Sequence, residues 1–227
     1  IERLPLCLGR PQLLSLRLDT LAQQQRAGLP SVLIASNRSA PSRAALDAAR
    51  TSAMAHRRRQ IALQEDLDWQ VYKLYGLLDE DLTLPPDSVP EVALGERAFE
   101  IVLARAVAAG EVETKWFERH GSTPITDVPT HWPLAYRELV EKRITTIYSN
   151  PSISLVERPE YKRRWASEPW EEQELRALRC WLLERLETPG CWPSAELQST
   201  TQLSDHVRRD ADFLEVAQLY TQRPDVD

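Results

Sequence analysis

Long apolar runs are missing from this 227-residue chain; no stretch approaches the roughly 20 consecutive apolar residues that a membrane span requires. The chain opens on Ile1 rather than Met, and nothing in it reads as a secretory segment. A cytoplasmic location is expected, and the chain is expected to be a piece of a longer protein. Cysteine is scarce: Cys7, Cys180 and Cys191 form no C-x-x-C pair, and His56, His120, His131 and His206 are scattered without ligand spacing. Buried reduced thiols and no metal site are expected. The glycine-rich and catalytic signatures are also missing, with no G-x-G-x-x-G, P-loop, G-x-S-x-G or H-E-x-x-H. Alternating β-branched runs are absent apart from Ile153 to Val156, the one stretch that reads as a strand.

What is present fits a packed helical chain. Apolar residues make up 42% of it, seven Trp can help to close a core, and a charged fraction of 27% is ordinary for globular proteins. The net charge of −6 hides an asymmetry. Residues 1–59 hold ten Arg against three acids, residues 60–118 hold four basic residues against thirteen acids, and residues 119–227 hold fourteen against eighteen. A chain-wide basic field is excluded, but the first quarter can supply a local one.

Helix signals dominate, so the expected fold class is all-α. A first helix opens at Pro11 and closes at Gly28 and Pro30, with Leu14, Leu18 and Leu21 on one face. A second, from about Ser42 to Tyr75, has a stripe of Leu46, Met54, Ile61, Leu67, Val71, Leu74 and Leu78 and is capped at Gly76. Its length implies a rod of roughly 50 Å, paired with the first helix as a long α-helical hairpin. The prolines of "LPPDSVP" (84–90) break the chain. Helices are then expected over 92–109, 112–119, 133–149, 167–187, 200–209 and 211–221. The expected division is a helical spacer hairpin at 1–83, a compact helical domain at 91–187 and a C-terminal helical extension at 188–227. "NPS" (150–152) reads as a helix stop, since it lacks the second Pro and the aromatic of an Asn-Pro-Pro-Tyr motif.

Two basic stretches are the candidate DNA-backbone contacts: Arg57, Arg58 and Arg59 on the long helix, and Lys162, Arg163 and Arg164 between Tyr161 and Trp165. Each has a plainer reading. The first triplet can be a solvated helix face. The second can neutralise the following Glu run while Tyr161 and Trp165 anchor a turn. Ser167 reads as the cap of the next helix and Pro169 as an early helical position; Glu168, Glu171, Glu172 and Glu174 suit the positive end of its dipole.

"LQEDLDWQVYKLYGLLDEDL" (63–82) is similar to the helix that follows the target-recognition region in fused restriction–modification enzymes. "GERAFEIVLARAVAAGEVETKWFERHGSTPIT" and "LVERPEYKRRWASEPWEEQELRALRCWLLERLE" resemble the C-terminal region of PglX, the adenine-specific DNA methyltransferases of type 2 BREX phage-resistance systems. The resemblance implies a parent enzyme that moves a methyl group from S-adenosylmethionine to adenine N6, flipping the base to reach it. It implies that the cofactor loop and the Asn-Pro-Pro-Tyr motif lie upstream of Ile1. No catalytic, cofactor or metal residue is therefore expected in this segment. DNA is the expected partner through the parent, with other BREX proteins as further partners. An alternative is an all-helical scaffold that docks other defence proteins or a second copy, motivated by the acidic stretch and by Trp116 and Trp132 as exposed aromatics.

Overall fold

The computed structural model describes residues 11–36, 40–165, 167–192 and 197–223. Among the described residues there are α-helices and short 3-10 turns but no strand, so the protein is all-α. No helix among them is long and apolar enough to cross a membrane. In chain order the helices are α1 Gln12–Ala27, α2 Pro30–Ser36, α3 Arg43–Leu74, α4 Ala98–Ala108, α5 Trp116–His120, α6 Leu134–Ser149, α7 Pro151–Val156, α8 Trp170–Leu186, α9 Thr200–Val207 and α10 Ala211–Thr221. Gly76 ends α3 at φ 71, a left-handed conformation that costs glycine no Cβ clash.

Three local expectations are corrected. Pro30, read as a stop, is the first residue of α2, where its missing N–H and fixed φ suit a helix start; Val32 N and Leu33 N donate to Leu29 O. The β-branched run at Ile153–Val156 is helical. Pro151 opens α7, and the Asn150 side chain accepts hydrogen bonds from Ser152 N (2.9 Å) and Ile153 N (3.2 Å). Thus Asn150 both ends α6 and caps α7. Ser167 does not cap α8: Pro169 is extended at ψ 143, so the helix begins at Trp170.

The chain divides into two compact units, each assembled from two stretches of sequence: Ile1–Gln23 with Ala55–Ser167, and Gln24–Met54 with Glu168–Asp227. These boundaries differ from the 83, 91 and 187 drawn from sequence. In the first unit, Ile61, Trp69 and Tyr72 of α3 pack with Phe99 and Ile101 of α4, Tyr136, Val140 and Ile144 of α6, Ile153 of α7, and Trp165. Each such large side chain contributes about 1.5–3 kcal/mol on burial. Trp116 and Trp132 belong to this core, only 7% and 4% exposed, so they are not the exposed docking aromatics expected from sequence. Gly95 sits at φ 94, and a Cβ there would lie 2.5 Å from Thr123 O; only glycine fits this turn before α4.

The same core contains charge. Arg143 of α6 is fully buried, and its guanidinium donates to Leu82 O (2.8 Å and 3.1 Å) and to Asp66 of α3. Glu65 accepts from Ala98 N (2.8 Å), meeting a free donor at the start of α4. Its other oxygen lies 3.8 Å from Arg143 Nη1, beyond hydrogen-bonding distance.

In the second unit, α8 packs against α2 and α10, and Ile34, Leu46, Ala177, Leu178 and Val216 form the core. Glu174, buried on α8, accepts from Arg43 and from Trp170 Nε1 (3.0 Å). Cys191 is buried, but Cys180 is exposed on α8, against the expectation that it would be buried; Cys7 lies outside the described residues.

Candidate nucleic-acid interface

An α-helix repeats its face about every seven residues, so Arg57 and Gln64 of α3 project from the same side, with Asp68 one turn further on. The segment after α7 lies along that side. Arg57 Nη1 donates to Ser167 Oγ at 2.7 Å, and Arg163 Nη1 reaches Gln64 Oε1 at 3.4 Å. Two basic stretches that are some hundred residues apart in sequence therefore meet in one place.

The six candidate residues differ in what they can still do. Arg58 and Arg164 are exposed. Arg163 is exposed and lies over the Trp165 ring, 4.3 Å from its centroid, which fixes the guanidinium plane while leaving its other donors free. Arg57 is half-buried without a carboxylate partner among the described residues. Burial disfavours its charge and pushes its pKa below the ordinary value. A guanidinium in that condition gains from an arriving anion, because the desolvation cost is already met.

Two candidates are corrected. The Arg59 guanidinium donates to Val89 O and Pro86 O, so its fork is committed to the loop before α4. Lys162 is only 6% exposed; its Nζ lies 2.6 Å from Asp68 Oδ2, 2.8 Å from Glu157 Oε1 and 3.2 Å from Tyr72 OH. Three acceptors match the three donors of an ammonium. Burial opposes the Lys162 charge, but Glu157 and Asp68 more than offset it and raise its pKa. Lys162 is thus an internal cation and cannot reach a phosphate.

The sequence reading missed Gln64 and Ser167, which flank the basic strip, and Arg97, whose Nη1 donates to Arg163 O at 3.2 Å. Arg97 is held by Glu100 at 2.8 Å and 3.0 Å, and Glu100 also accepts from Trp116 Nε1 at 3.0 Å. Burial works against the Glu100 carboxylate, yet these donors hold its pKa below the usual range. The seven-residue step from Arg57 to Gln64 was the only sequence signal for this face. The pairing with Ser167 had none.

Residues 60–227 match the family described as "Domain of unknown function (DUF7008)", and the chain belongs to that family. The chain is also 49% identical, over 234 residues that take in all of it, to the adenine-specific methyltransferase PglX of Streptomyces coelicolor. The match covers 19% of that protein, so the chain corresponds to a segment of a PglX-like protein and spans about a fifth of its relative's length. No solved structure matches the chain.

Proposed function

We propose that this family member is the non-catalytic, DNA-supporting segment of an S-adenosylmethionine-dependent, adenine-specific (N6) DNA methyltransferase of a BREX phage-defence system. The observation that carries the reading is the meeting of Arg57 and Arg163 on one side of α3, with Arg164 exposed next in the chain and no carboxylate paired to any of the three among the described residues. Arginine offers fixed, planar donors that suit phosphate oxygens. Contacts to the backbone orient a protein on the duplex without reading its sequence, which is the role a supporting segment requires. Base flipping needs a duplex held still while one nucleotide leaves the stack, and lateral phosphate contacts supply that restraint. No step of methyl transfer is assigned to residues of this segment; S-adenosylmethionine belongs to the rest of the parent enzyme.

The test is the salt dependence of duplex binding by the full-length parent. Each neutralised phosphate contributes about −0.9 to the slope of log affinity against log salt. Replacing Arg57, Arg163 and Arg164 with Ala should flatten the slope by about 2.7 if all three make contact. An unchanged slope excludes phosphate contact by this strip. A triple variant that keeps its slope but no longer retains other defence proteins would instead favour the scaffold reading.

A further inference from the structure

We propose that Lys162 is a positioning residue for DNA: its buried ammonium fixes the backbone that carries Arg163 and Arg164, so that both guanidiniums stand in line with Arg57. The inference rests on the proposed phosphate contact and deepens it.

Two buried side chains anchor this otherwise exposed stretch. Tyr161 is 67% exposed, Lys162 6%, and Trp165 8%, with Arg163 and Arg164 exposed between the two buried anchors. Lys162 reaches Asp68, four residues beyond Gln64 on the same side of α3, and also Glu157 at the end of α7 and Tyr72. Its Nζ further lies 5.7 Å from the Tyr72 ring centroid and 5.6 Å from that of Phe99. The Arg97 bond to Arg163 O holds the next peptide. An apolar side chain could bury as much surface, and buried ion pairs add little net stability. What three directional acceptors give, and an apolar contact does not, is a single register. A slip of one residue would put Arg163 into the core and Lys162 outside.

The experiment uses the full-length parent protein and a duplex, with the salt slope as readout. Loss of folded protein lowers the amplitude of binding, whereas the slope counts phosphates neutralised per bound molecule, so a merely structural defect leaves it alone. Arg163→Ala/Arg164→Ala is expected to flatten the slope by about 1.8. The charge-balanced variant Lys162→Met/Glu157→Gln is expected to flatten it by a similar amount with both arginines still present. A wild-type slope in that variant, beside a flattened one in the double-arginine variant, overturns the positioning role and leaves the contact standing. A wild-type slope in the double-arginine variant removes the contact itself, and the positioning role with it. Should the charge-balanced variant fail to fold, Asp68→Asn weakens the same anchor from its partly exposed side; an unaltered slope there also overturns the proposal.

Discussion

Arg143→Met will lower the stability of the first unit by about 3–5 kcal/mol, the loss typical when one partner of a buried ion pair is removed. The guanidinium is fully buried and serves Asp66 and the Leu82 carbonyl, with its carbon 5.4 Å from the Trp69 ring centroid. Met fills much of the volume but leaves Asp66 and Leu82 O without the guanidinium donor and Glu65 without its nearby cation, and an orphaned buried carboxylate is the dominant cost. Thermal unfolding should shift down by about 10 °C for a chain of this size. Adding Glu65→Gln and Asp66→Asn to Arg143→Met removes the orphaned charges and should recover most of the loss. A loss unaffected by that neutralisation would assign the effect to packing instead.

The stability of the protein will also fall as pH rises from about 5 to 7.5, and Glu65 will account for it. Burial raises the Glu65 pKa from 4.5 to about 7, with Arg143 and the Ala98 N–H opposing that rise. Between those two values the native state holds a proton that the unfolded chain has released. Unfolding therefore releases protons in this window, and stability declines with rising pH. Burial raises the Asp66 pKa too, adding in the same direction. Glu100, whose pKa is lowered, loses its contribution only at more acidic pH. The Glu65 effect has an upper bound of about 3 kcal/mol. Urea midpoints at pH 5 and 7.5 read it directly: wild type should lose stability across the interval, and Glu65→Gln should lose much less. Equal losses would place the titration elsewhere.

The helical class was legible because its punctuation is local. Gly76 as a stop, the Pro133 start and the Tyr136, Val140, Ile144, Ile147 stripe of α6 need only neighbours within a few turns. Pro30 was ambiguous for a physical reason: the ring that cannot continue one helix is well suited to begin another. The acidic stretch 60–118 read as a docking face, yet Glu65, Asp66 and Glu100 are buried. Their cations, Arg143 and Arg97, are not marked as internal by anything nearby. Lys162 was misplaced for the same reason. A basic triplet resembles a surface patch, and its burial depends on Asp68 and Tyr72, some ninety residues back. Arg57 and Arg163 were each visible as candidates, but only the tertiary contacts through Ser167 and Gln64 place them on the same side of α3.

Cross-linking to DNA tests the central claim most directly. With a photo-reactive side chain placed at Arg164 of the full-length parent, irradiation with a bound duplex should give a covalent adduct. The same group at Leu134, 66% exposed on α6 of the same unit, serves as the reference and should give little. An adduct from position 164 well above that from 134 is the predicted result. A protein that binds the duplex yet forms no more adduct at 164 than at 134 would contradict the account.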